Sequence, residues 1–493
     1  MKFKNSAACP DSPFSFTFVS GPHLEFMRLL SRNLLLAGLL NLLVFLGIFY
    51  LLQNEWVYQN TLGKISSNYV RVKVDGDTQI QQIKKPYVDI STNKLQNWDA
   101  DIYHCIKENM YSTEEGCYIK VKGAFFPLFP LIWKVSTLNS IGVSLLNYFL
   151  FVLSLSILVQ LLCKGSSNEK LLIYSLLLVL PSTVIYYIPY TEALFLLTMT
   201  LAFTGYKKQK YWLFFLAAFA MSMLRPATLF ILLSIICVEI LFLISHRKPS
   251  LFLRNFLKNG LPFVLGYFVA ILIQYASSGS LNTMSDAQKY WNGSIGLFTQ
   301  ITDWSAEGFG LNTFSVFFIA IPALYFVVHS IIKKKSFKEN YSKSNPEIEI
   351  AGSYFFLISV FYLAGIFVFI LLSSGGNLHS FFRFTMTSPA FYIAALYILT
   401  HWTRERKSNR FALFMIPLSL LTIFLTQTEF GPGRFEFPFY GMYLSILAFL
   451  FILIQPYVKK PAQWLIAVPL IVLCIIWNTY LFNIFLCEGW IFT

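Results

Sequence analysis

Long uninterrupted apolar runs decide what this chain can fold into. Residues 34–52, 141–162 and 464–486 are three of them. Runs of about 20 apolar residues cross roughly 30 Å of hydrocarbon as a helix. In lipid only helices and closed barrels satisfy their own backbone. The runs are continuous rather than alternating, which selects helices over a barrel. With 56% hydrophobic and only 13% charged residues among 493, the chain lies far from the roughly quarter-charged soluble domain. The expectation is an all-α polytopic membrane protein with about 11–13 transmembrane helices.

The net charge of +14 would suggest nucleic acid in a soluble protein. Here the basic clusters sit in short links between apolar runs: Lys207-Lys208-Gln209-Lys210, Arg247-Lys248, Lys333-Lys334-Lys335, Arg404-Glu405-Arg406-Lys407 and Lys459-Lys460. They mark cytoplasmic loops, and no nucleic-acid partner is expected. Residues 1–33 read as a cytoplasmic tail and 34–493 as one membrane domain. Spans are expected at about 34–52, 141–163, 171–188, 191–206, 211–224, 227–245, 260–276, 312–332, 351–373, 384–401, 411–427, 438–456 and 463–486. A cytoplasmic N-terminus and thirteen crossings put every basic cluster inside. They leave a large first loop, 53–134, and a second, 277–311, on the extracytoplasmic side of a multi-pass protein.

Of seven cysteines none forms a CxxC pair, so a zinc or redox site is not expected. Cys105 and Cys117 share the first loop and are either a disulfide or two free thiols.

That loop carries Trp98-Asp99-Ala100-Asp101-Ile102-Tyr103-His104 and, further on, Phe125-Phe126-Pro127-Leu128-Phe129-Pro130. Aspartates at i and i+2 do not share a helix face; they suit a strand end or a helix start. An ionised Asp takes a proton from a hydroxyl or holds a metal ion, so a divalent metal is a possible cofactor. Trp98 and Tyr103 offer flat faces for a sugar. The blander reading is a helix cap at the membrane surface. The Phe-Pro run reads as a re-entrant or surface-lying segment. Glu192, Arg225 and Arg383 stand at span ends, where ionisable groups are costly and point to function unless they snorkel. An Arg fork matches phosphate oxygens. Gln288, Trp291 and Trp304 in the second loop either bind sugar or sit at the interface. Glu239 lies inside a span with no evident partner.

Trp98-Asp99-Ala100 with Tyr103, Ile106 and Tyr111, then Phe125 to Pro130, resembles the first-loop signature of the GPI mannosyltransferase 2 family and its prokaryotic relatives, polytopic GT-C glycosyltransferases. Tyr190-Thr191-Glu192-Ala193-Leu194-Phe195, Ser222-Met223-Leu224-Arg225-Pro226, Gln288 with Trp291, and Arg383-Phe384 echo later family blocks in order. The chain departs from the pattern with Asn97 for Arg, Lys107 for Ala and Met110 for the Gly before Tyr111. The resemblance implies a GT-C-like bundle. It also implies a polyprenyl- or dolichyl-phosphate-linked sugar donor, typically mannose, and inverting transfer to an extracytoplasmic glycan, lipid or protein acceptor. On that reading Asp99 is the general base, Asp101 orients it or holds a metal, Glu192 supports the loop or contacts the acceptor, and Arg225 or Arg383 meets the leaving phosphate. The rival classes are a lipid or glycan transporter or flippase, a polysaccharide polymerase or ligase, and a non-catalytic assembly subunit.

Overall fold

The computed structural model describes residues 22–56, 69–74, 77–82, 90–112, 121–163, 167–180, 182–246, 249–291, 315–332, 346–373, 381–397 and 460–486. In chain order its helices are α1 (Pro22–Gln53), α2 (Asp99–Asn109), α3 (Leu128–Ser136), α4 (Ser140–Leu162), α5 (Ser167–Leu177), α6 (Glu192–Lys207) and α7 (Tyr211–Ser222). They continue with α8 (Thr228–His246), α9 (Pro249–Ser278), α10 (Thr283–Trp291), α11 (Ile321–Ile332), α12 (Pro346–Ser373), α13 (Phe381–Thr385), α14 (Pro389–Tyr397) and α15 (Lys460–Leu486). Among the described residues five helical stretches are long and apolar enough to cross a membrane: Ser31–Gln53, Ser140–Leu162, Phe252–Ser278, Tyr354–Leu372 and Pro461–Asn483. The described residues thus form an essentially all-helical protein with helices of membrane-spanning length. Leu35, Leu43, Phe268 and Leu465 stand more than half exposed along them, as helices flanked by hydrocarbon require.

The helices pack in hairpins. In α6 and α7, Gly205 lies so close to the neighbouring chain that a Cβ there would meet the Phe214 nitrogen at 2.5 Å. Only glycine permits that approach. Helix α4 is capped by Asn139, whose side chain accepts from the Gly142 N–H at 2.8 Å, and it packs against α1 and α6.

Several expectations are corrected. The first helix begins at Pro22, twelve residues inside the stretch read as a tail. The first loop also holds one short antiparallel strand pair, Tyr69–Val74 with Asp77–Gln82, in the register Tyr69↔Gln82 to Val74↔Asp77. The second loop holds helix α10. The span expected at 171–188 ends as a helix at Leu177, and the one expected at 384–401 is broken into α13 and α14. The spans expected at 411–427 and 438–456 lie outside the described residues.

The break after α5 is the main irregularity of the bundle. Between Leu177 and Glu192 the described residues make a short 3₁₀ turn, Thr183–Tyr187, whose side chains are buried. Non-helical backbone at that depth must be satisfied by protein. Two asparagines supply the partners. Asn147 on α4 donates to the carbonyls of Ile188 (2.7 Å) and Tyr190 (2.8 Å). Asn478 on α15 accepts from the Val184 N–H (2.9 Å) and donates to the Leu180 carbonyl (2.8 Å). The Tyr186 ring stacks on Phe151 at 4.2 Å, and its hydroxyl donates to the Thr387 carbonyl at 2.7 Å. This clamped segment delivers Glu192 to the start of α6.

Replacing Asn478 by Leu strands a buried N–H and a buried carbonyl. At about 1–3 kcal/mol for each orphaned group, the variant is expected to melt well below the wild type in detergent. An unchanged melting temperature counts against the clamp.

Candidate functional site

Four charged side chains from four separate stretches of sequence meet at one end of the bundle. Asp99 and Glu192 are the first residues of α2 and α6, where the helix dipole favours negative charge. Arg225 lies between α7 and α8, and Arg383 in α13. Arg383 Nη2 donates to Asp99 Oδ2 at 2.6 Å and its Nε to Glu192 Oε1 at 2.9 Å. Arg225 Nη1 donates to the same Glu192 oxygen at 2.8 Å. The order is Asp99–Arg383–Glu192–Arg225, two carboxylates alternating with two guanidiniums. Side-chain exposure rises outward from Glu192 at 0% to Arg383 at 7%, Asp99 at 9% and Arg225 at 12%. Such distances are those of charge-assisted bonds. Neither arginine snorkels: burial and pairing hold both.

Aromatic faces wall the cluster. The Arg383 guanidinium lies 4.9 Å from the Tyr190 ring centroid, and Arg225 lies 5.8 Å from both Phe195 and Phe384. Glu192 Oε2 is buried and has no hydrogen-bond partner among the described residues. Arg225 uses one of its donors in the cluster, whereas Arg383 serves both carboxylates.

The first loop is built to present Asp99. Trp98 has φ 57° and ψ −122°, the first central position of a tight turn that glycine adopts freely and other residues adopt at a cost of about 1–3 kcal/mol. The Ala100 N–H closes the turn onto the Asn97 carbonyl at 3.2 Å. Asn97 in turn donates to the Phe485 carbonyl of α15 at 2.8 Å. Helix α2 ends the same way, with Met110 at φ 50° and ψ −137°. The helix is therefore fixed at both ends by left-handed residues that are not glycine.

Asp101 stands apart from the cluster, partly exposed on another side of α2, near His104. Among the described residues no group of three His, Cys, Asp or Glu side chains comes together to hold a metal. Tyr103, read as a sugar platform, is buried instead. Its ring packs edge-on against Phe125 and Phe129 at 5.0 and 5.1 Å, and its hydroxyl donates to Thr191 Oγ1 at 3.4 Å. Burial pushes that phenol well up from its ordinary range. Tyr103 thus ties α2 to the residue before Glu192. Trp98 is half-buried against the core.

The Phe125–Pro130 run is likewise inside the protein rather than at its surface: Phe125, Phe126, Phe129 and Pro130 are buried. The Leu128 N–H donates to the Met223 carbonyl at 3.1 Å, next to Arg225. Gln274 of α9 holds the Gly123 carbonyl at 2.9 Å, and a Cβ on Gly123 would collide with the Thr283 carbonyl at 2.2 Å. Helix α10, which bears Gln288 and Trp291, docks here; the side chains of those two residues, and Trp304, lie outside the described residues. Cys105 is disulfide-bonded; Cys117 lies outside the described residues.

No protein-family model, no curated protein and no solved structure matches the chain.

Glu192 is the hub, so Glu192→Gln leaves two guanidiniums with one carboxylate. Removing one partner of a buried pair costs about 3–5 kcal/mol. A double-mutant cycle with Arg225→Met is expected to show strong coupling; additive losses in thermal unfolding would deny the hub. A second expectation concerns pH. Burial, then Lys107, push the His104 imidazole below its ordinary 6.5. The folded state therefore favours neutral His104, and this contribution is complete above 6.5 and fades as pH falls below it. His104→Gln is expected to flatten the acid side of the stability profile, measured by thermal unfolding.

Proposed function

We propose that the chain is a membrane glycosyltransferase of the GT-C kind, similar to the GPI mannosyltransferase 2 family. It moves a sugar, mannose on the resemblance, from a polyprenyl- or dolichyl-phosphate donor to an extracytoplasmic acceptor with inversion. The observation that carries this reading is the convergence of Asp99, Glu192, Arg225 and Arg383, each from a different block of that resemblance, into one ion-paired cluster. Two details support it. Met110 occupies the position of a family glycine and keeps a glycine-like backbone. A disulfide at Cys105 suits a loop on an oxidising side of the membrane.

In this mechanism Asp99 accepts the proton of the acceptor hydroxyl through Oδ1, while Arg383 holds Oδ2. The hydroxyl oxygen attacks the anomeric carbon, and the bond from that carbon to the lipid phosphate oxygen breaks on the opposite face. One base then suffices. The phosphate leaves with the bonding pair and is met by Arg225, the guanidinium with donors to spare. Arg383 is committed to the two carboxylates and serves as a positioning residue. Trp98, half-buried beside Asp99, borders the acceptor side. Asp101 has no part in the transfer.

A positioned base contributes about 10²–10⁴-fold. Purified Asp99→Asn is expected to lose that much turnover with labelled polyprenyl-phosphate mannose, and Asp101→Asn only a few-fold. Near-normal turnover of a folded Asp99→Asn variant removes Asp99 from the base role.

A further inference from the structure

At the end of α6 far from Glu192 the surface turns basic. Helix α6 has 16 residues, so about 24 Å of helix separates that end from the Glu192 cluster. The turn into α7 is short and fixed. Gln209 has φ 53°, the Lys208 N–H donates to the Thr204 carbonyl at 2.9 Å, and the Lys210 N–H donates to the Gly205 carbonyl at 2.8 Å. The turn holds Lys208 and Lys210 exposed. Beside it α9 presents Arg254 and Lys258, also exposed and one helical turn apart. Tyr211 joins the two pairs. Its hydroxyl donates to the Lys258 carbonyl at 2.8 Å, and the Lys258 ammonium lies 5.5 Å from its ring centroid.

Among the described residues no carboxylate lies within ion-pair distance of Lys210, Arg254 or Lys258. Glu239 on α8, which packs against α9, is 1% exposed. It accepts instead from the Tyr354 hydroxyl of α12 at 2.8 Å and from the side-chain amides of Asn259 and Asn255 at 3.4 Å each. Partial burial, and then Lys210, push the Lys208 ammonium below its ordinary range. An apolar strip begins next to these cations. Leu257, Leu261, Val264 and Phe268 follow one face of α9 and stand 41–56% exposed. Trp212 and Leu216 of α7 are 63% and 57% exposed. The two helices touch, since a Cβ on Gly266 would meet the Phe219 carbonyl at 2.2 Å. Cations and strip therefore form one continuous surface.

We propose that this end of the α7–α9 face binds an anionic phospholipid, with the headgroup among Lys210, Arg254 and Lys258 and the acyl chains along Leu216, Leu257 and Leu261. The surface has the two halves of such a molecule in the right order. The cations match a negative headgroup, and long basic side chains reach it while their stems lie on apolar surface. Tyr211 and Trp212 stand at the boundary, where aromatic rings settle at headgroup level. A free phosphate would use the cations and gain nothing from the strip. A zwitterionic lipid would use the strip and bring no net charge to the cations. On the sequence reading this end is cytoplasmic, the side whose anionic lipids attract basic segments next to a membrane. The inference is independent of the chemistry at Glu192.

The test is native mass spectrometry of the purified full chain in detergent, titrated with phosphatidylglycerol or with phosphatidylcholine of the same acyl chains. The wild type is expected to bind phosphatidylglycerol at least tenfold more tightly. Lys210→Gln, Arg254→Gln and Lys258→Gln are each expected to weaken that binding about fivefold, the worth of one basic residue beside an anionic surface. The triple variant is expected to lose the preference; the single variants carry the test if it does not fold. Lys289→Gln, an exposed cation of α10, is expected to bind like the wild type. Equal binding of the two lipids overturns the proposal, as does a triple variant that keeps the preference. Release of the bound lipid by millimolar inorganic phosphate would make the surface a site for free anions and overturn it too.

Discussion

One carboxylate oxygen, Glu192 Oε1, accepts from two guanidiniums, and much of the described structure is arranged to make that possible. Its helix must begin where it does, which requires the chain after α5 to stay unwound and buried. Asn147 and Asn478 satisfy that segment from α4 and α15. Arg225 must be brought from the α7–α8 junction and Arg383 from α13, and both are packed against rings that exclude water. A buried charge is tolerated only with its partners in place, so the cluster and the irregular backbone depend on each other. Asp99 is the last member, attached through Arg383 and aimed by a strained turn at Trp98.

The membrane-spanning helices were legible because about 20 apolar residues in a row have few other uses. The charged residues of the cluster were legible one by one, since Glu192, Arg225 and Arg383 are costly where they stand. Their pairing was not, because separations of 33 and 191 residues are closed only by tertiary packing. Tyr103 misled for the same reason: an aromatic beside an aspartate looks like a sugar platform until Phe125 and Phe129 are seen packed against it. Glu239 had no visible partner because Tyr354 lies 115 residues away. The strand pair of the first loop was within reach. Val70, Val72 and Val74 alternate with Arg71 and Lys73 ahead of Asp75-Gly76, a period of two followed by a hairpin dipeptide. The break after α5 was harder to see, since an apolar run does not reveal that its backbone is bonded to asparagines on other helices.

The left-handed residues at both ends of α2 set the character of the first loop. A helix entered through Trp98 and left through Met110, each in a conformation with few neighbours in backbone space, has its register fixed at both ends. Tyr103 then fastens its inner face to Thr191, and Tyr111, just past the helix, donates to the Phe125 carbonyl. The loop thereby acts as part of the bundle, although it follows the first long helix as a polar excursion.

The four charges of the Glu192 cluster sum to zero, while the chain as a whole carries +14. A neutral buried quartet projects almost no field into solution. It does not draw ions from a distance, and dissolved salt reaches it poorly. Whatever the cluster engages, it engages at contact, so its grip is expected to be indifferent to ionic strength even though the rest of the protein is strongly basic.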